Sequence, residues 1–512
     1  MLKYLTKPGL KRELSGTAGT IRDAISISAA LYLIFAVLFY PAPILHRSIA
    51  FGLFYSVIFM GYSSPGTKSG NRVPVFDWVF AALSLSVSIY IGLNFGRISS
   101  RLVFVDRVLT PDIIFGFLTI FLLIEGTRRV MGPWLPGLSL LALAYIFWGH
   151  HIQGRFGHLK FNTEYILDGL FLSNYGIWGS TLGIAAGKVM VFLLFGTLFK
   201  NTGAGDFLFA LVSRITGRVK GGVGKVAVIS SALFGMLQGA ALTNVTTTGA
   251  MTIPAMKRGG FKSEYAACVE SCASVGGVFM PPIMGTVAFI MSDVVGIPYA
   301  DLIKRAVIPA IIYFSALFFS IDFHSRKHGI EGIANETKAK IVPLLLSGYN
   351  FFIPLVYLIM RLMSGRPVAK AGLETIGVML ILGLLNRKKP LKFKAIIDTL
   401  KTTTSRGVMI VSTMAACGIL IGVIDITGIT SKFSSYLIYV ADVSVIATLV
   451  VIMLATLFLG LAMNTSSSYL IAAVLGAPVL IGLGFEPLGV HMFILFFAAM
   501  STITPPVAMT SY

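Results

Sequence analysis

The chain has 512 residues, of which 56% are apolar and only 12% are charged, and its mean hydropathy is +0.85. An average soluble domain carries about 25% charged residues, so this composition excludes an ordinary water-soluble protein. The 41 basic and 21 acidic residues give a net charge of +20. The basic residues lie in short clusters between apolar segments, which is typical of cytoplasmic loops and not of a nucleic-acid-binding surface. The sequence therefore predicts an all-α polytopic membrane protein.

The apolar segments follow one another along the whole chain. The first 24 residues are polar and basic, which predicts a cytoplasmic N-terminus. A span needs about 20 apolar residues. Segments that form whole or partial spans are predicted near residues 25–40, 47–62, 75–95, 113–131, 135–150, 181–200, 205–213, 226–256, 264–291, 306–322, 342–363, 371–385, 406–427, 431–440, 443–485 and 488–512.

The segment 226–256 is too long for one span and too short for two. Its middle, residues 239–249, is polar and rich in residues that favour turns. Basic residues flank it on both sides: Arg214, Arg218, Lys220 and Lys225 before it, and Lys257, Arg258 and Lys262 after it. Two cytoplasmic ends predict a re-entrant hairpin of two half-helices with its turn in 239–249. The alternative is one long tilted helix with a polar kink.

A second polar interruption, residues 460–470, lies within 443–485 and is bracketed by Asp442 and Glu486. Because its flanks lack basic residues, they are predicted to face outward. The two regions share short matches in the same order: Thr202-Gly203 with Thr427-Gly428, Asn244-Val245-Thr246 with Asn464-Thr465-Ser466, and Met280-Pro281-Pro282 with Thr504-Pro505-Pro506. The matches and the reversed charge predict an inverted repeat, whose interface holds the substrate and ion sites in secondary transporters.

The two halves differ in the length of chain after the double proline. The first continues from Pro282 across another span to Phe323, whereas only six residues follow Pro506. We therefore expect that the second repeat is cut short. We also expect that the carbonyls freed by the second double proline have no partner, and that a longer chain is needed for transport.

Three stretches resemble the large membrane subunit of tripartite ATP-independent periplasmic (TRAP) transporters. They are LFKNTGAGDF (198–207), KVAVISSALFGMLQGAALTNVTTTGAMTIPAMKRGGF (225–261) and ESCASVGGVFMPPIMG (270–285). Three upstream stretches resemble the small subunit and the junction of fused permeases that pair with TAXI-type receptors: HRSIAFGL (46–53), FDWVFAALSL (76–85) and EGTRRVMGPWLPGLSL (125–140).

The resemblance implies a domain organisation and a function. It implies a four-helix small-subunit-like domain at 1–132, a first inverted repeat at 133–330 with the hairpin 226–256, a linker with connecting helices at 331–400, and a second repeat at 401–512 with a hairpin near 443–485. It further implies an elevator-type permease in a prokaryotic inner membrane. An extracytoplasmic TAXI-type solute-binding protein would deliver a small organic acid, and a gradient of Na⁺ (or H⁺) would drive uptake without another cofactor. The run Asn464 to Ser468 departs from the Met-Pro-Thr-rich tip of the family.

Sodium is a hard cation that prefers oxygen ligands, and both hairpin tips and both helix breaks supply them. The predicted cation-binding residues are Thr243, Asn244, Thr246, Thr247, Ser274, Gly276, Gly277, Asn464, Thr465, Ser466, Ser501, Thr502 and Thr504. The predicted substrate-binding or hinge residues are Gly239, Thr248, Pro281, Pro282, Ser467, Pro505 and Pro506. Glu270, a carboxylic acid within an apolar segment, is a candidate proton or ion-pair site. The alternative is that small and hydroxyl residues here only allow close helix packing.

Three other functions remain as alternatives. A stand-alone sodium-coupled carboxylate symporter would need no receptor. A polytopic membrane enzyme would need a cluster of His, Asp and Glu residues at an interface, and the sequence indicates none, so we predict that the protein is not an enzyme. Two broken hairpins are more typical of an alternating-access site than of a passive channel.

Overall fold

A computed structural model describes residues 8–64, 72–216, 219–332, 348–386, 390–432, 444–461, 463–505 and 508–511. Within these ranges the regular structure is helical, apart from one isolated bridge between Lys11 and Tyr62. Eight of the described helices are long and apolar enough to cross a membrane. The predicted class, an all-α polytopic membrane protein, is confirmed.

We number the helices in chain order. In the first half they are α1 (Gly16–Phe39), α2 (Pro43–Gly61), α3 (Val75–Leu93), α4 (Phe95–Ser100), α5 (Thr110–Met131), α6 (Trp134–Trp148), α7 (Thr163–Phe171), α8 (Ser180–Asn201), α9 (Ala204–Thr216), α10 (Gly222–Gln238), α11 (Ala241–Arg258), α12 (Ser263–Gly277) and α13 (Gly285–Val295). In the second half they are α14 (Tyr299–His328), α15 (Tyr349–Met363), α16 (Val368–Leu385), α17 (Phe393–Thr427), α18 (Val445–Gly460), α19 (Thr465–Gly482) and α20 (Pro487–Met500).

Two helices begin well before the apolar segments that predict them. Helix α1 starts at Gly16 and α17 starts at Phe393, each within a polar and basic stretch. The hydropathy of a segment indicates only the part of a helix that is suited to lipid. Backbone hydrogen bonds can extend the helix into polar residues beyond that part. The polar extensions are joined by an ion pair of 2.9 Å between Lys401 and Asp23. Most of the predicted segment 431–440 lies outside the described residues.

The chain forms two compact units. The first comprises Met1–Met190, Leu400–Val451 and Leu470–Phe485. Its N-terminal segment is held by a buried ionic network in which Asp77 pairs with Arg12 and, at 2.7 Å, with Arg129. Arg129 also pairs with Glu125 at 2.8 Å, and Arg12 donates to two backbone carbonyls of α2. Each buried charge therefore has a partner of opposite sign, which such a charge requires.

The second unit comprises Val191–Thr399, Ile452–Tyr469 and Glu486–Tyr512. Helices α10, α11 and α12 pack against one another in this unit. Lys225, at the start of α10, is buried and pairs at 2.5 Å with Asp322 of α14. This pair fixes the base of the first hairpin to its neighbouring long helix. The predicted domain boundaries near 132, 330 and 400 stay predictions.

The first hairpin has two arms, α10 and α11, separated only by Gly239 and Ala240. Gly239 has a φ of +70°, a left-handed conformation that favours glycine. The turn lies within the predicted stretch 239–249 and takes up only its first two residues. Residues 243–248 are helical, and their threonine hydroxyls bond to carbonyls of the same helix, as Thr248 Oγ1 does at 2.8 Å to the Asn244 carbonyl.

The second hairpin repeats this plan. Helix α18 ends at Gly460 and α19 begins at Thr465, so the hydroxyl residues that follow Asn464 lie in the first turns of α19. The second arm of each hairpin contains one proline, Pro254 in α11 and Pro478 in α19. These two prolines are as far apart in the sequence as the two double prolines are, which supports the predicted repeat.

Candidate cation and substrate site

The amide of Asn244 lies at the centre of a buried cluster in the second unit. Asn244 is 0% exposed, and its Nδ2 donates to the Ser231 carbonyl (2.8 Å), to Ser231 Oγ (2.8 Å) and to Ser274 Oγ (3.1 Å). Because a carbonyl can only accept, the first contact fixes which amide atom is nitrogen. Asn244 Oδ1 is buried and has no hydrogen-bond partner among the described residues. A strong acceptor is thereby left available in the protein interior.

Glu270 lies beside this amide and is surrounded by hydroxyl groups. Its carboxyl oxygens accept from Ser231 (3.1 Å), Thr252 (2.6 Å), Ser274 (3.3 Å) and Thr248. Glu270 is 0% exposed, and no basic side chain of the described residues forms an ion pair with it. The cluster consequently combines one acid, one amide and four hydroxyls, all of them oxygen-bearing groups.

Helical spacing brings these residues together. Asn244, Thr248 and Thr252 are four residues apart on α11 and share one face, and Glu270 and Ser274 share a face of α12 in the same way. The other predicted threonines of this tip lie on different faces: Thr246 is exposed, and Thr246 and Thr247 both donate to the Thr243 carbonyl at 2.9 Å. Of the residues predicted from the sequence and described by the structure, Asn244, Thr248 and Ser274 are therefore the ones grouped with Glu270.

The break after α12 allows a close approach of two backbones. A Cβ on Gly277 would lie 2.6 Å from the Gly235 Cα, and a Cβ on Gly235 would lie 2.9 Å from Asn244 Nδ2. Gly276 faces Tyr313 instead. Pro281 and Pro282 have no N–H, so the Val278 carbonyl has neither of the donors that would continue a helix.

The polar residues of the second hairpin and of the second break have different partners. Asn464 Oδ1 accepts from the Ser467 N–H (3.0 Å) and hydroxyl (2.9 Å), so this side chain caps α19. Ser468 donates to the Thr456 carbonyl at 3.2 Å, and Gly460 packs on Ser501.

The hydroxyls of the second break bond to carbonyls of their own helix. Ser501 donates to Ala498, Thr502 to Ala499 and Thr504 to Met500, at 2.8 to 2.9 Å. The expectation that the freed carbonyls here lack partners is wrong for Thr502, whose carbonyl accepts from the Thr510 N–H at 2.9 Å. Pro505 follows this break, and Pro506 lies outside the described residues.

The two hairpin tips meet at the start of α13. A Cβ on Gly239 would lie 2.8 Å from the Gly285 Cα and 3.0 Å from the Thr286 nitrogen, and Thr286 Oγ1 lies 2.7 Å from Ser466 Oγ. Gly239 precedes α11, Gly285 begins α13 and Ser466 is in the first turn of α19, so three helix N-termini converge. Each carries a partial positive charge from its backbone N–H groups.

Sequence reasoning missed Ser231, Thr252 and Thr286. A polar signal existed for each of them. Ser231 interrupts an apolar run, Thr252 lies four residues after Thr248, and Thr286 directly follows the glycine that ends the stretch 270–285. Their partners depend on how the helices pack, which the sequence pattern does not specify.

Residues 118–512 match the protein family described as the tripartite ATP-independent periplasmic transporter, DctM component. The chain belongs to this family. The match begins at residue 118, within α5, and includes both hairpins and both breaks. The protein is therefore a multi-pass membrane component of a TRAP transporter, which confirms the resemblance of the stretches 198–207, 225–261 and 270–285 to the large subunit. The resemblance of the upstream stretches to a small subunit and to TAXI-associated permeases stays a prediction.

Named relatives agree with this assignment. A putative TRAP transporter large permease protein of Haemophilus influenzae is 22% identical over 334 residues, covering 62% of this chain and 74% of the relative. The sialic acid TRAP transporter large permease protein SiaM of Vibrio cholerae is 21% identical over 326 residues, covering 63% of this chain and 75% of the relative. The isethionate TRAP transporter permease protein DctMQ of Oleidesulfovibrio alaskensis is 22% identical over 428 residues, covering 82% of this chain and 63% of the relative. These relatives are named as permeases and not as enzymes, in agreement with the prediction that the protein is not an enzyme.

Proposed function

We propose that this TRAP permease imports a small organic acid that an extracytoplasmic TAXI-type solute-binding protein delivers, and that a Na⁺ gradient drives uptake. The observation that carries the proposal is the buried Asn244 Oδ1, which has no partner among the described residues and belongs to a side chain that is clustered with one carboxyl group and four hydroxyl groups. Leaving a buried acceptor unpaired costs about 1–3 kcal/mol. A bound cation would remove this penalty.

The donor set favours a hard cation. The Asn244 amide oxygen and the Val278 carbonyl are ligands of the kind that Na⁺ takes, and the carboxyl group of Glu270 would offset the positive charge. The described residues contain no group of three or more His, Cys, Asp or Glu side chains that could hold a transition metal. We assign the cation to the first repeat, at Asn244, Ser274 and the break after Gly277.

The point where the three helix N-termini converge favours an anionic substrate. Partial positive charges at helix N-termini attract carboxylates, and broken helices in secondary transporters use them in this way. Thr286 and Ser466 add hydroxyl groups at the same point. We place the substrate carboxylate there, between the tips of the two hairpins.

The proposed topology places the N-terminus in the cytoplasm of a prokaryotic cell and the protein in its inner membrane. The basic residues before α1 support this orientation. The family match begins at residue 118 and leaves residues 1–117 unmatched. The alignment with the DctMQ relative covers 428 residues, which is longer than the family match and therefore includes residues before 118. These extents support a small-subunit-like domain, proposed at 1–132, that is fused to the large subunit.

The test is uptake into proteoliposomes that contain the complete permease under an inward Na⁺ gradient. Labelled organic acids of three to six carbons are supplied with and without a TAXI-type solute-binding protein. Uptake that requires both the binding protein and Na⁺ is expected. Equal uptake without the binding protein would instead identify a stand-alone symporter, and uptake indifferent to Na⁺ would contradict the proposed coupling.

A further inference from the structure

The segment 152–162 joins the end of α6 to the start of α7 in the first unit, and most of its residues are exposed. Hydrogen bonds to its backbone carbonyls connect it to other elements. The Tyr145 hydroxyl donates to the Phe156 carbonyl at 2.6 Å, and Lys432 Nζ donates to the Gly157 carbonyl at 2.7 Å. A further contact runs in the other direction, from a histidine of the segment to a carbonyl of α6.

Both ring nitrogens of this histidine, His158, contact backbone carbonyls. Nδ1 lies 2.7 Å from the Leu159 oxygen, and Nε2 lies 2.8 Å from the Tyr145 oxygen. A carbonyl can only accept, whereas a neutral imidazole has one donor nitrogen and one acceptor nitrogen. The two contacts are therefore both hydrogen bonds only when each ring nitrogen carries a proton, and the ring is then positively charged.

The surroundings of His158 fix the position of its ring. A Cβ on Gly149 would lie 2.6 Å from His158 Nε2, so the ring fills space that a glycine leaves free. The Tyr145 ring meets the imidazole edge-on with centroids 4.9 Å apart, and the Phe161 ring stacks on it with centroids 5.2 Å apart. The imidazole would lose these contacts if it turned away from the two carbonyls.

Opposite electrostatic influences act on the His158 ring. The Tyr145 carbonyl is one of the last carbonyls of α6, where the negative end of the helix dipole favours a cation. Neutral or positive groups surround the ring on its other sides. The titratable groups that face it are Tyr145 and His150 at the end of α6, His151 beside His150, Lys160 in the same segment, and Lys432, which contacts Gly157.

We propose that His158 is a proton-dependent clasp, which holds the segment 152–162 against the end of α6 at acidic pH and loosens it at alkaline pH. Histidine changes its charge between about pH 5 and 8. When the imidazolium releases one proton to water, one ring nitrogen presents a lone pair to a carbonyl oxygen, and the two acceptors repel each other.

The clasp goes beyond the proposed transport function, because none of its residues belongs to the cation or substrate site. Five predicted spans precede the segment, so the proposed cytoplasmic N-terminus places it on the extracytoplasmic side. There it would respond to the external pH.

The test measures the mobility of a nitroxide spin label at position 159 by electron paramagnetic resonance in nanodiscs at pH 6 and pH 8. The Leu159 side chain is 81% exposed, and the native cysteines at 268, 272 and 417 are replaced by alanine. The ratio of mobile to immobile label should rise about tenfold at pH 8, the factor expected for loss of one hydrogen bond of a charged group.

Three variants identify the group responsible. His158→Gln cannot change its charge, so its ratio should be the same at both pH values. Gly149→Ala should give the mobile label even at pH 6, because its Cβ displaces the ring. His151→Ala is the matched control and should respond as the wild type does, since His151 is exposed and stacks on His150.

Two additional measurements keep the result decisive. Thermal unfolding checks that each variant is folded, and NMR of ¹⁵N-labelled histidine, with the His158 signal assigned by its loss in His158→Gln, should show two protonated ring nitrogens at pH 6 and one at pH 8. An unchanged ratio in the wild type, an equal change in His158→Gln, loss of the change in His151→Ala, or a neutral His158 ring at pH 6 would overturn the proposal.

Discussion

Replacing Asn244 with alanine tests the cation site most selectively. The substitution removes the unpartnered Oδ1 and the three hydrogen bonds of Nδ2 to Ser231 and Ser274. Loss of one oxygen ligand from a buried cation corresponds to about 1–3 kcal/mol, or roughly a 5- to 150-fold weaker affinity. The half-saturating Na⁺ concentration should rise by that factor, measured as ²²Na⁺ binding to purified protein in a scintillation proximity assay.

A matched control separates this effect from general damage. Asn174→Ala removes an exposed amide in the first unit and should leave Na⁺ binding unchanged. Gel filtration and thermal unfolding should show that Asn244→Ala is folded, with a loss of stability of about 1–3 kcal/mol from the donors it removes. Na⁺ affinity within twofold of the wild type in a folded Asn244→Ala protein would refute the assignment of this amide.

Two further substitutions test the packing of the site. Gly277→Ala should lower the free energy of unfolding by about 1–3 kcal/mol and should also weaken Na⁺ binding, because its Cβ would approach the Gly235 Cα to 2.6 Å. Gly137→Ala is the control and should change neither quantity, since a Cβ there meets no atom within 4 Å. Thr286→Val should reduce uptake of the organic acid roughly fivefold and leave Na⁺ binding unchanged, since it removes one hydrogen bond to Ser466 that is worth about 1 kcal/mol. Wild-type uptake by this variant, or weaker Na⁺ binding, would contradict the separation of the substrate site from the cation site.

The sequence predicts the breaks of the fold better than the contacts between its parts. Glycine at position 239 and proline at 281 and 282 act locally on the backbone, so the interruptions of the helices follow from residue type. The polar run after Gly239 nevertheless overestimates the length of the first turn. Threonine and serine hydroxyls can also bond to carbonyls of their own helix, so a polar run does not by itself end a helix.

The hydrogen-bond partners of the side chains in the site depend on tertiary packing. Asn244 and Asn464 are paired by the short sequence match, yet Asn244 lies inside α11 with its amide oxygen without a partner among the described residues, whereas Asn464 precedes α19 and caps it. Residue type alone cannot distinguish these roles, because the outcome depends on whether a neighbouring helix supplies acceptors for the amide nitrogen. Ser231 supplies them in the first repeat.

The measurement that tests the proposed mechanism most directly is uptake of a delivered organic acid into proteoliposomes with a Na⁺ gradient as the only driving force. The internal and external pH are equal, the membrane potential is clamped to zero with K⁺ and valinomycin, and the matched solute-binding protein is present. The mechanism predicts accumulation above equilibrium that collapses when Na⁺ is equalised across the membrane and is strongly reduced in Asn244→Ala. Accumulation that persists after Na⁺ is equalised, or that is identical in Asn244→Ala, would contradict it.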